Sequence, residues 1–437
     1  MEIEAGLRIA KDAVRKSEAD PRVGWAWSDP VYRASSGRAF QGPSGALTIE
    51  DDGLTALEEV VSKLLRDQRA RTRWREGDLW AAVLSLLVSM QMNDALDLKS
   101  AVKDLVNPAK AQTIAALANV TWGAEPAMLG SLTIAHLQGE RDAESLASLL
   151  NLDTEEYGTF VSHSKKLLED LGPHAVAINS SARQGELGYE DLECALDDLI
   201  GLTLMLSENL DEHGLYSLRG ATNRPGVRGI TLDRKVLGDL LEDSRPGEFA
   251  AQVLTVNGWD TNGSLRWYSP DPMPLDRILD VRLSSVVGDF MSADDAIARR
   301  IRVSGRWYAR AFWASSEEDA ALAVGVALDS LLTGNDALPG AVSKSRFALL
   351  ERDVALRADR FERYEQVYRV RSTVAHGGDA ARQLAKIGGA RSMLSDAQWA
   401  ATQLIELRKV SAPKGDAAFR ELWGAVQWGS LPWTSQG

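Results

Sequence analysis

The sequence has one cysteine, Cys194, and five histidines in 437 residues. A lone thiol excludes a disulfide framework and a cysteine-rich zinc site. It suits a reducing compartment, so a cytoplasmic location is expected. His136, His163, His174 and His213 are scattered without ligand spacing, and neither a metal nor another cofactor is expected. There is no phosphate-cradling glycine loop and no dinucleotide-binding glycine pattern. Gly42-Pro43-Ser44-Gly45 lacks the register of a nucleophile elbow. Long apolar runs are also missing. The richest, residues 79–92, contains two serines and falls short of the about 20 residues that span a bilayer, so no membrane partner is expected. Residues 1–20 are charged throughout and do not read as a secretory leader.

What is present fits a globular chain: 45% apolar residues, 25% charged residues and thirteen tryptophans. At roughly 100–200 residues per domain the length predicts two to four domains. The net charge is −13, but it is unevenly spread. Residues 1–296 hold 29 Lys and Arg against 47 Asp and Glu, and residues 297–437 hold 20 against 15. The mildly basic end fits either a module that meets a polyanion or ordinary variation between domains.

Hydrophobic periodicity predicts a mainly α fold. Residues 2–18 read as an amphipathic helix. Residues 21–53, rich in Gly, Pro, Ser and aromatics, read as a loop or small irregular sheet. Residues 54–206 read as mainly helical, with a short strand at 131–137 and a helix over 187–206. Residues 252–256 and 265–268 suggest a hairpin, and the proline-rich run 269–274 a linker. The expected organisation is a mostly helical region over 1–209, a mixed β-containing segment over 210–290, a helical bundle over 291–412 and a Trp-rich tail over 413–437.

Within the bundle, helices are expected over 293–313, 342–356, 359–375 and 379–386. Two capping boxes, Ser315 to Glu318 and Ser395 to Gln398, open helices to Leu332 and Val410. In the helix over 359–375, Tyr364, Val367, Tyr368, Val374 and Ala375 form one apolar face with Arg371 at its middle. A guanidinium stays charged at ordinary pH, so Arg371 must pair or line a cleft that admits an anion. His376 follows where Gly377-Gly378 stops the helix, near Arg371 and free to face solvent. The spacing alone is common, and it also fits an Arg bonded to its neighbours and a His capping helix carbonyls.

The run Tyr368-Arg369-Val370-Arg371-Ser372-Thr373-Val374-Ala375-His376-Gly377 resembles the signature of HEPN domains, in particular the Apea-like branch. Upstream, Arg306-Trp307-Tyr308-Ala309-Arg310-Ala311 and Ala327-Leu328-Asp329-Ser330-Leu331-Leu332 resemble that branch's early helices, with Asp329 where Glu is usual. The resemblance covers residues 296–410. It implies a HEPN-type bundle acting as a metal-independent endoribonuclease, with Arg371 and His376 catalytic and Ser372 supporting. Tyr368 and Arg369 either frame the substrate or serve packing and solvation. It also implies bacterial anti-phage defence or toxin function, RNA as substrate, and a homodimer or HEPN partner docked through the Arg371/His376 helix. A further defence-system protein is another candidate partner.

The chemistry is coherent without the resemblance. RNA carries its own nucleophile, the 2′-hydroxyl. Cleavage needs a base for its proton, an acid for the leaving 5′-oxygen and a cation for the phosphorane. Histidine serves as acid or base near neutral pH, and arginine offers a fork to two phosphate oxygens. One chain brings one such histidine, whereas two apposed copies bring two. The competing reading is a non-catalytic binding module or a structural subunit of a larger defence assembly.

Arg66, Arg69, Arg71, Arg73 and Arg75, with Trp74 among them, could grip single-stranded RNA. They equally fit a solvated helix end. Trp423, Trp428 and Trp433 in the tail either dock a partner or fold back on the bundle.

Overall fold

A computed structural model describes residues 2–17, 32–34, 37–42, 45–92, 96–108, 111–136, 175–183, 185–207, 226–228, 273–333 and 339–433. In chain order the helices are α1 (Ile3–Asp12), α2 (Asp51–Arg66), α3 (Gln68–Arg73), α4 (Glu76–Met92), α5 (Leu98–Val106), α6 (Gly185–Leu206), α7 (Leu275–Ile278), α8 (Val281–Ser292), α9 (Ala296–Phe312), α10 (Glu317–Leu332), α11 (Pro339–Leu349), α12 (Arg357–Ala375), α13 (Ala381–Ile387), α14 (Gly389–Val410) and α15 (Gly415–Gln427). Among the strands are β1 (Val14–Ser17), β2 (Tyr32–Ala34), β3 (Gly37–Gly42), β4 (Gly45–Ile49), β5 (Ala111–Ala118), β6 (Val120–Thr121), β7 (Ala127–Leu129), β8 (Leu132–His136) and β9 (Ala175–Ser181). The chain is mainly helical, as its periodicity predicts. It divides into two compact units. One comprises Met1–Ala116, Ile134–Glu193 and Val227–Leu265, and the other Leu117–Thr133, Cys194–Gly226 and Arg266–Gly437.

In the first unit, α1, α2, α4 and α5 bury Leu7, Leu57, Leu64, Val83, Leu87 and Leu105 in one core. A side chain at Gly53 would lie 2.4 Å from the Ala13 Cβ, so glycine there is what lets α2 approach the end of α1. Of the loop or small irregular sheet expected over 21–53, the described residues supply β2, β3 and β4 to a sheet ordered β1-β4-β3-β2, and α2 opens at Asp51. Two expectations are corrected. The first helix ends at Asp12, and Val14 onward pairs antiparallel with β4, which satisfies the backbone in another way. The segment 54–206 also carries β5 and β9, antiparallel from Ala111↔Ser181 to Ala116↔Val176. Ala-Gln-Thr-Ile-Ala-Ala favours helix locally, but strand pairing overrides that preference. The hairpin expected over 252–268 lies outside the described residues, as do His163, His174 and His213.

In the second unit α10 packs against α9, α11, α12 and α14. Its sequence explains this central place. Ala320, Ala321, Val324, Gly325, Ala327, Leu328 and Leu331 are buried on several faces of the helix, which suits a helix surrounded by others. Its cap is one residue later than expected: Ser316 Oγ accepts from the Asp319 N–H at 3.0 Å. Ser395 is not a cap, because α14 already begins at Gly389 and the Ser395 hydroxyl donates to the Arg391 carbonyl at 3.3 Å. Instead the Ala390 N–H at that helix start donates to Glu317 Oε2 at 2.8 Å. The helix expected over 342–356 stops at Leu349, and a separate 3₁₀ turn, Val354–Leu356, follows under an Asp353 cap.

Two buried arginines close the other end of α10. Arg300 Nε donates to the Thr333 carbonyl at 3.0 Å and Arg346 Nη1 to the Leu332 carbonyl at 2.6 Å. They satisfy carbonyls that a helix end leaves open. Arg300 also lies 4.0 Å from the Phe419 ring centre and 2.9 Å from Asp416, which ties α15 to the bundle. Trp423 and Trp433 are buried and Trp428 is exposed, so two of the three tail tryptophans fold back.

Asp295 caps α9 through the Ile297 and Ala298 N–H groups at 3.0 and 2.9 Å, and it pairs with Arg408 Nε at 2.7 Å. Burial pushes its carboxyl up, but these donors outweigh burial and hold it below the ordinary range. The sign follows. The contribution is complete above the unfolded value of about 4 and is lost as pH falls through the lower folded value. Asp295→Ala is expected to cost about 2 kcal/mol at pH 7. In melts at pH 7 and pH 3 the gap between wild type and variant should be wide at the first and shrink at the second. An equal gap at both would refute the assignment.

Candidate functional site

The helix α12 is held on one side by arginines placed at one-turn intervals. Arg363 donates to Asp396 Oδ2 at 2.8 Å, to Ser392 Oγ at 2.7 Å and to the Ile387 carbonyl at 3.2 Å. Arg360 pairs with Glu351 at 3.0 Å and lies 3.8 Å from the Trp399 ring centre. Tyr364, Val367 and Val370 are buried. The apolar face therefore includes Val370, and Ala375, expected on it, is exposed. Tyr368 is half-buried, and its ring lies against Gly340, where a side chain would sit 2.9 Å from it.

Arg371 crosses α10 at Gly325. A Cβ on Gly325 would lie 2.7 Å from both Cγ and Cδ of Arg371, so only glycine gives its methylene stem this path. Beyond the stem, Nη2 pairs with Asp329 Oδ2 at 3.0 Å, and the Arg371 side chain remains 29% exposed. Its Nε is sealed from solvent with no acceptor among the described residues. Asp329 is fixed in turn: Tyr364 Oη donates to its Oδ1 at 2.7 Å and Ser343 Oγ at 3.3 Å. Burial, and then the negative charge of Asp329, push the Tyr364 hydroxyl well above the usual tyrosine value. It therefore stays protonated and donates. The expectation that Arg371 pairs or lines an open cleft resolves as a pair with a partly open guanidinium.

His376 is exposed at the C-cap of α12, its backbone N–H donating to the Ser372 carbonyl at 3.1 Å. Among the described residues no hydrogen bond or ion pair engages its imidazole. Gly377 at φ +72° lets its own N–H reach the Val374 carbonyl and the Gly378 N–H reach the Thr373 carbonyl. The chain thus turns immediately after the histidine. Arg369, 71% exposed, pairs with Glu365 at 2.6 Å one turn back. Ser372 is half-buried and supplies the carbonyl under His376.

The arginine run lies in the first unit. Arg69, Arg71 and Arg75 are exposed, and Arg75 pairs with Glu190. Trp74 donates from its indole to the Leu105 carbonyl at 2.8 Å and packs against the core, so its ring serves the fold. Among the described residues no cluster of His, Cys, Asp and Glu could hold a metal, and no helix is long and apolar enough to cross a membrane.

Sequence reasoning assigned no role to Gly325 or Ser343, read Tyr364 only as part of the apolar face, and gave Asp329 no part in the site. A signal for Asp329 was present: it is the one charged residue in the stretch Ala320–Leu332, which is otherwise apolar apart from Ser330. A carboxylate there must find a cation. No protein-family model matches the chain, and no curated protein or solved structure gives a significant match.

Proposed function

We propose that the C-terminal unit is a metal-independent endoribonuclease of the HEPN type. The observation that carries this reading is one helix end that presents a restrained, partly open guanidinium and, five residues on, an exposed imidazole with no partner among the described residues. Arg371 grips a phosphate through the part of its fork that Asp329 leaves free. His376 takes the 2′-hydroxyl proton as that oxygen attacks phosphorus, or gives a proton to the departing 5′-oxygen. The products are a 2′,3′-cyclic phosphate and a 5′-hydroxyl. Both proton transfers require two histidines, so two copies of α12 meet across a dimer, or one meets a HEPN partner. A defence or toxin role is proposed from the resemblance alone.

The test is cleavage of end-labelled RNA in excess EDTA by the full chain, with product ends identified and mass in solution measured. Cyclic-phosphate ends from a dimer support the reading. Cleavage by a strict monomer contradicts the two-histidine scheme, and loss of all cleavage in EDTA contradicts metal independence. The Arg371–Asp329 pair also favours a second reading, a non-catalytic helical module in which Arg371 locks α12 to α10. RNA binding without cleavage would select it.

A further inference from the structure

Asp329, Tyr364 and Ser343 come from three helices, α10, α12 and α11, and meet at one carboxylate. Such convergence is costly unless each polar group is satisfied, and here Asp329 accepts from two hydroxyls at Oδ1 and from Arg371 at Oδ2. The Arg371 stem is confined by Gly325 before it reaches that carboxylate. A free arginine samples many rotamers, and a group that must meet a phosphate in one orientation gains from losing them beforehand.

We propose that Asp329, oriented by the Tyr364 and Ser343 hydroxyls, is the positioning residue for Arg371. It holds Nη2, while Nε is sealed, so that the open end of the guanidinium is presented to a phosphate in fixed orientation. The inference rests on the ribonuclease reading for its catalytic consequence, but the clamp itself can be read without RNA. Ser343 is fully buried and Tyr364 nearly so, and the Tyr364 ring packs 5.2 Å from Phe347. Tyr364→Phe therefore removes the hydroxyl and keeps the packing.

The experiment uses the full chain and the variants Tyr364→Phe, Asp329→Asn and Asp329→Glu, each checked by thermal melting. Phenylglyoxal modification of Arg371 is followed by mass spectrometry, with Arg369 on the same helix as internal control. Loss of a charge-assisted partner should speed Arg371 modification about tenfold in Asp329→Asn and less in Tyr364→Phe, with Arg369 unchanged. In parallel, kcat for RNA should fall about a hundredfold in Asp329→Asn and about tenfold in Tyr364→Phe, with KM nearly constant. Asp329→Glu, which keeps the carboxylate, should recover most of both readouts. Unchanged Arg371 reactivity in Asp329→Asn overturns the clamp. Faster modification with full RNA cleavage overturns its positioning role and spares the ribonuclease reading. Faster modification in variants of a chain whose wild type cleaves no RNA supports the clamp and overturns the ribonuclease reading.

Discussion

Alanine at His376 is expected to lower kcat for RNA cleavage by about 10²–10⁴-fold, the range for loss of a positioned acid or base. The fold should barely register the change. The imidazole is exposed, and the helix end is capped by backbone and glycine rather than by the ring. A surface substitution of this kind stays within about 0.5 kcal/mol. Arg371→Ala should lose about 10²–10³-fold, as for removal of one preorganised donor to a developing anion. It also leaves Asp329 without its cation, so some loss of melting temperature is expected with it. Arg371→Lys separates the two effects. It keeps a positive charge near Asp329 but loses the planar fork, so stability should recover further than activity. Initial rates in EDTA, paired with melting curves, check all three. Full activity in His376→Ala would remove the imidazole from the mechanism.

Gly201→Ala should be the most destabilising single methyl group in the C-terminal unit. The Cβ it adds would lie 2.3 Å from the Gly305 carbonyl carbon, 2.4 Å from its oxygen and 2.7 Å from the Arg306 nitrogen. All three are backbone atoms, so no side chain can swing aside and α6 must separate from α9. Overpacking of this kind costs about 3 kcal/mol. In a unit of this size that lowers the midpoint by roughly 6–12 °C. The pairing of Arg306 with Asp198 at 2.5 and 2.8 Å lies one helical turn from this crossing and should loosen with it. Gly305→Ala offers a graded comparison, because its Cβ would meet Gly201 and Leu202 backbone at 3.0–3.1 Å. A smaller loss is expected there. Equal melting curves for Gly201→Ala and wild type would show that the two backbones do not touch.

The helices of the C-terminal bundle were legible because their apolar positions recur at helical spacing and glycine marks the end of α12. Cap positions were less so. Ser315 and Ser316 are adjacent, each with an acid three residues on, and only the structure distinguishes Ser316 as the cap. Strands β5 and β9 were illegible for a different reason. Their paired residues lie 60–70 positions apart in sequence, and alanine-rich segments carry no alternating pattern to announce a sheet. The helix carrying Arg371 and His376 was visible from residue type and spacing. What fixes Arg371 was not, since Gly325, Asp329 and Ser343 reach it from other helices, and such meetings are set by packing rather than by period.

Helix α9 is completed by residues made more than a hundred positions later. Asp295 waits for Arg408, 113 residues on, and Arg300 for Asp416, 116 residues on. At translation rates of about 5–20 residues per second, these two ion pairs wait roughly 6–23 s during synthesis. A nascent chain that has not yet made α15 therefore already carries Arg371 and His376 while Arg300 still lacks its carboxylate partner.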